Sequence, residues 1–209
     1  MRKPRSRLLF AITLPLLLAA CATRPPASVD VAATAAHAQR HQRLSAMDHW
    51  SLSGKISIDD GQEGGSGRLN WTVEGAHSRL EFRGALGRGA WQLEISPNLA
   101  VLEKADGRVV QAANLRDLVE FEVGWHVPVD ALRWWILGLA APGAHQGLTF
   151  DAAGRPLTLS QDDWQVDFSR YQSFGDVDLP GRLDARNGER RVKLAIVSWN
   201  PAFPARADG

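Results

Sequence analysis

The sequence predicts a mainly β domain with helices: a curved antiparallel sheet, an unclosed barrel, lidded by α-helices over an apolar cavity. Two observations carry the architecture. About nine to eleven short runs alternate apolar and polar residues with period two, separated by turn residues, as half-buried strands do. One central stretch instead repeats its apolar residues with the helical period. A meander of short strands pairs antiparallel, and a large antiparallel sheet curls, so helices laid across its concave side close it into a partial barrel with every second side chain inside. Composition adds a third observation. Eight tryptophans against one tyrosine suit either a wide core or an apolar cavity, and alternation is the same for both.

The chain opens on Arg2, Lys3, Arg5 and Arg7, an apolar run from Leu8 to Leu18, and Leu18-Ala19-Ala20-Cys21. Basic start, apolar run and small residues at a cut mark residues 1–20 as a secretory signal, which takes no part in the fold. Leu-Ala-Ala-Cys resembles the bacterial lipobox, in which the cysteine carries a diacylglycerol and, on its new amino group, a third acyl chain. Cys21 is the single cysteine, so it has no disulfide partner within the chain. Two or more acyl chains hold a protein stably on a membrane. Ala22 stands where Asp keeps many lipoproteins in the inner membrane, which points by analogy to the outer membrane. No other apolar run approaches the ~18 residues of a bilayer span.

Residues 21–30, with Pro25-Pro26, read as a lipidated tether, and residues 31–209 as one domain. Val31 to Met47, without Gly or Pro, reads as a partly exposed helix. Trp50, Leu52, Ile56 and Ile58 then alternate with polar residues in a first strand, and Asp60 to Gly67 reads as a turn. Strands follow at Leu69-x-Trp71-x-Val73, Leu80-x-Phe82 and Trp91-x-Leu93-x-Ile95. Leu99 to Glu103 and Arg108 to Ala112 form a hairpin around Asp106-Gly107. Asn114 caps a short helix carrying Leu115, Leu118 and Val119. Asp130 caps a second helix through Leu137, whose Leu132, Trp135, Ile136 and Leu139 make one stripe. Strands resume at Leu148–Phe150, Leu157–Ser160, Trp164-x-Val166-x-Phe168, and Leu183–Val197 folded at Asn187-Gly188.

The whole chain has 24 basic and 23 acidic residues. Removing the signal removes four basic residues and no acid, which leaves the mature protein negative. A nucleic-acid binder needs a basic stripe, so none is expected as partner. Catalytic signatures are missing too. His37 and His41 share a helix face, but no third ligand stands at metal-site spacing. Gly64-Gly65-Ser66-Gly67 ends on Arg68 and falls short of a nucleophile elbow. Gly87-x-Gly89 lacks the third glycine of a dinucleotide fingerprint. The acidic residues Asp162, Asp163, Glu120 and Glu122 suit a solvated surface. We infer neither enzyme, metal nor cofactor beyond the covalent lipid on Cys21.

Several stretches together resemble the LolB family of outer-membrane lipoprotein receptors: the lipobox, His41-Gln42-Arg43, Trp50-Ser51-Leu52-Ser53-Gly54, Gly84-Ala85-Leu86-Gly87, Leu132-Arg133-Trp134-Trp135-Ile136-Leu137-Gly138-Leu139, Trp164-Gln165-Val166-Asp167-Phe168, and Arg191-Val192-Lys193-Leu194 to Trp199. They occur in family order over nearly the whole mature chain. The resemblance implies an unclosed barrel lidded by helices. It implies a monomer, held on the outer membrane and facing the periplasm, that accepts triacylated lipoproteins from a LolA-like carrier and inserts them into the inner leaflet. Acyl chains of the cargo would lie against Trp50, Leu52, Trp71, Val73, Phe82, Trp91, Leu93, Ile95, Trp164, Val166 and Phe168 of the sheet. The lid would add Leu118, Val119, Leu132, Trp135, Ile136 and Leu139. Read from the residues alone, all of these equally suit an ordinary filled core. A filled core would make the protein a scaffold subunit binding only protein partners. A lipid-modifying hydrolase is a third reading, opposed by the missing nucleophile motif.

The segment Arg83-Gly84-Ala85-Leu86-Gly87-Arg88-Gly89 joins two strands, and its glycines permit a tip with positive φ. Leu86 there either folds back on the sheet edge or is offered outward. The resemblance implies the second, as a membrane insertion loop of Leu86, Gly84 and Gly87. Gly84-Ala85 replaces the Asn-Pro that often precedes the family's leucine. Burying one leucine yields roughly 1.5–3 kcal/mol, which biases a tethered domain toward a bilayer without anchoring it. Arg83 and Arg88 are placed to meet lipid phosphates.

Overall fold

Eleven of the described strands hydrogen-bond into one antiparallel sheet whose two ends never meet. The computed structural model describes residues 31–61, 64–85, 89–175 and 177–202. The signal, Cys21 and the tether lie outside the described residues, as do Leu86, Gly87 and Arg88.

The entry helix α1 spans Val31–Ser45 and ends before the expected Met47. Ser45 Oγ donates back to His41 O at 2.8 Å, and Met47 N–H closes a turn on Leu44 O at 3.1 Å. β1 (His49–Asp59) turns Trp50, Leu52, Ile56 and Ile58 inward. β2 (Gly64–Glu74) corrects the expected turn at Asp60–Gly67, because Gly64 to Gly67 pair with Asp59 to Ile56. A ladder needs only backbone groups. The length of β1 offers a full row of them, which outweighs the poor strand propensity of glycine.

β3 (His77–Gly84), β4 (Trp91–Ser96), β5 (Leu99–Lys104) and β6 (Val109–Ala112) continue the meander to one free edge. Gly107, at φ +81°, makes the expected tight turn between β5 and β6. α2 (Leu115–Val123) is capped as expected: Asn114 Oδ1 accepts from Asp117 N–H at 3.3 Å. α3 (Val129–Trp135) is not capped by Asp130. Pro128 precedes it, where a missing N–H costs nothing, and no side chain caps it. Gly138 N–H then bonds Trp135 O and Leu139 N–H bonds Trp134 O, with Gly138 at φ +71°, a Schellman stop.

The second half returns as β7 (Gln146–Phe150), β8 (Pro156–Gln161) and β9 (Trp164–Ser169). A small separate hairpin of β10 (Gln172–Phe174) and β11 (Val177–Leu179) follows; three residues per strand are too few for alternation to reveal. β12 (Arg182–Asn187) leads into the long β13 (Arg190–Ala202), which pairs with β1 and joins the two halves. The order is β6-β5-β4-β3-β2-β1-β13-β12-β9-β8-β7. A register shift beside Gly54 bends the central pair, and a Cβ there would sit 2.6 Å from Ala195 O. The inward faces of these strands and the apolar stripes of α2 and α3 form one continuous core.

Candidate functional site

The residues expected to wall a hollow separate into two groups. Trp50, Leu52, Trp71, Leu93, Leu118, Leu132, Trp135, Ile136, Leu139, Trp164, Val166 and Phe168 belong to the common core, and none is more than 5% exposed. Val73 and Val119 are covered equally well. Side chains so enclosed front no water-sized void, so these positions are packed interior in this structure. Ile95 is half-buried against the same core.

Phe82 and Trp91 form the second group. They line a cavity of about 620 Å³ at one end of the sheet, with Ile58, Val123 and Trp125, and with Gly84 and Ala85 at the root of the loop. The volume falls in the ~300–1,000 Å³ range of ligand sites. Phe82 and Trp91 are cross-strand partners on β3 and β4, and their rings stack at 5.5 Å. Trp125 meets both edge-on, at 5.1 and 5.0 Å. Gly124, at φ +76°, ends α2 and turns Trp125 toward them. Gly67 makes room for the Phe82 ring, since a Cβ there would lie 2.6 Å from it. Trp125 escaped the sequence reading because it sits between two helices, on no periodic run; its signal is the Gly-Trp pair directly after a helix.

The cavity rim is charged. Glu122 of α2 pairs with Lys104, at 2.8 Å, and with Arg108, both on the β5–β6 hairpin. The Lys104 hydrogen bond, with Arg108 beside it, holds the Glu122 carboxyl below its ordinary range. α2 is thus fastened over the rim by ionic contacts that salt and acid can loosen.

The other lid helix is fastened by buried groups that sequence reasoning did not single out. Arg40 of α1 donates to Leu137 O at 2.8 Å, Gly138 O at 3.2 Å and Asp178 O at 3.0 Å. These carbonyls end α3 and lie in β11, so one guanidinium joins three segments. Burial lowers its pKa. Gln161 of β8 accepts from Trp135 Nε1–H at 3.0 Å and Ala141 N–H at 2.8 Å, and donates to Ala141 O at 2.8 Å. Arg133 donates to Gly75 O at 2.9 Å. His37 stacks on Phe150 at 4.8 Å, with its Nδ1 3.1 Å from Gly154 O, and burial lowers its pKa, so His37 serves packing while His41 stays exposed. Among the described residues no three metal-ligating side chains come together, and no helix is long and apolar enough to cross a membrane.

Comparison with known proteins agrees with this geometry. Residues 48–199 match the family model described as Outer membrane lipoprotein LolB. The outer-membrane lipoprotein LolB of Stutzerimonas stutzeri is 37% identical over 195 residues, covering 92% of this chain and 95% of that one. The LolB of Alkalilimnicola ehrlichii is 36% identical over 199 residues, covering 95% and 98%. A solved LolA superfamily protein from Nitrosomonas europaea shares the fold, with TM-score 0.50 and 9% identity over 82% of this chain and 94% of that one. The chain belongs to the LolB family of outer-membrane lipoproteins.

Proposed function

We propose that this chain, held on the outer membrane by acyl chains on Cys21, accepts lipoproteins from a LolA-like periplasmic carrier and inserts them into the inner leaflet. The reading rests above all on an aromatic cavity placed at the root of the 84–89 loop in a LolB-family chain. Acyl chains leave water for the faces of Phe82, Trp91 and Trp125, and the loop brings that mouth to the bilayer. Seating several chains requires α2 to swing outward. α2 is the lid helix tied to the β5–β6 hairpin by partly exposed ion pairs, with Leu118 and Val119 packed in the core.

No bond is made or broken in such a transfer. Direction comes from successively tighter binding, at about 1.4 kcal/mol per tenfold step, with the bilayer as final sink. The test is transfer of a triacylated lipoprotein from purified carrier to this protein in vesicles. Cargo should move without ATP, and a fluorescent fatty acid should bind and be displaced by cargo. Leu86→Glu should block insertion while cargo binding persists. No transfer and no probe uptake would leave only a tethered scaffold.

A further inference from the structure

On the outer face of the sheet, register places four cations in one line. Arg83 on β3 stands opposite Arg68 on β2, and Arg68 opposite Lys55 on β1. Lys55 faces Ala195 on β13, and Ala195 faces Arg182 on β12. Like charges directly opposite one another destabilise a sheet, so folding gives no reason for the arrangement. Elsewhere on the strands, several cations are neutralised: Arg79 by Glu94, Arg186 by Asp167, Arg191 by Asp184. Among the described residues, the four in the row form no ion pair, and neighbouring Glu81 on β3 forms none with them. Lys55, Arg68 and Arg83 are exposed and Arg182 partly so. They border a groove of about 400 Å³ that Gly67, Ala195 and Lys193 also line.

We propose that this row is a binding site for the phosphate headgroups of anionic lipids, orienting the cavity mouth over the acceptor leaflet. The inference rests on the insertion role proposed above and extends it. Groove and aromatic cavity share Ser66, Gly84 and Ala85, so they occupy opposite faces of one rim, at the root of the loop. A membrane presents many anions side by side, and a row of neighbouring cations can meet several of them at once. Guanidinium groups pair phosphate oxygens two at a time. Each cation near an anionic surface strengthens binding roughly fivefold, and the attraction fades with salt as the Debye length shrinks to about 10 Å at 0.1 M.

The test uses the lipidated full-length protein in vesicles of phosphatidylethanolamine, alone or mixed with phosphatidylglycerol. A dye on Ser57→Cys reports contact through quenching by headgroup-labelled lipid. Phosphatidylglycerol should deepen quenching in a salt-sensitive way. The double variant Lys55→Gln/Arg68→Gln should lose most of that increment, while its unfolding midpoint stays level or rises as repulsion is removed. An unchanged increment in the double variant overturns the proposal, as does a lowered midpoint, which would make the row structural. Slower carrier-dependent transfer on both vesicle types, with quenching unaltered, would assign the row to an acidic protein partner instead. Wild-type protein that transfers no cargo to either vesicle defeats the insertion role while leaving the quenching result readable.

Discussion

The two ends of the sheet are built from the same alternation and reach opposite outcomes. Around β8, β9 and β12 the inward side chains meet α3, and the interior is solid. Trp135 and Trp164 pack at 6.1 Å, with Trp135 fully covered. Buried polar contacts from Arg40 and Gln161 lock the lid there. Around β3 and β4 the inward residues Phe82 and Trp91 stack on each other and meet the Trp125 indole, and a cavity remains beside them. The partly exposed pairs of Glu122 with Lys104 and Arg108 stand at that end. Whether an alternating strand lines a core or a hollow is set by what stands across from it. Partly exposed ion pairs such as those of Glu122 cost less to break than the buried contacts that hold α3.

Trp135→Ala should sharpen the contrast most. Removing a fully covered indole from the solid end costs about 3–5 kcal/mol, read by denaturant unfolding, and a loss under about 1 kcal/mol would show that end to be loosely packed. Arg40→Met strands the carbonyls of Leu137, Gly138 and Asp178, so about 1–3 kcal/mol of stability should go, with faster amide exchange in α1 and the end of α3. At the open end, Trp125→Ala should cost only about 1–2 kcal/mol, while fatty-acid affinity falls on the order of tenfold, equivalent to ~1.4 kcal/mol. Equal affinity in that variant would remove the aromatic cavity from the site.

The smallest effect concerns pH. The Glu122 carboxyl is lowered in the folded protein, so its contribution is complete above the unfolded carboxylate value and is lost as pH falls through the folded one. Acid should therefore lower the protection factors of α2 amides before those of α3. Glu122→Gln should remove the pH dependence, and matched acid sensitivity in the two helices would break the comparison between the two lids.

Strand positions were largely legible because burial on one face enforces period two along Trp50–Ile58, Trp164–Phe168 and Val192–Ile196. The β5–β6 turn and the Asn114 cap were legible because each rests on a local side chain or a glycine. The Gly64–Gly67 strand, the β10–β11 hairpin and the Pro128 entry to α3 were not. The first depends on a distant partner strand, the second is too short to carry a period, and the third turns on an N–H that proline lacks. The cavity was half legible, since Phe82 and Trp91 lie on alternating runs and Trp125 does not.

By itself the sequence determined the family, the antiparallel alternation and the stripes of the two lid helices, because these are local patterns of polarity and size. Tertiary structure alone decided which inward residues touch each other and which face empty space, and it aligned Arg83, Arg68, Lys55 and Arg182 across four strands. Volume and cross-strand register arise between segments distant in the chain, and no local pattern encodes a distance between them.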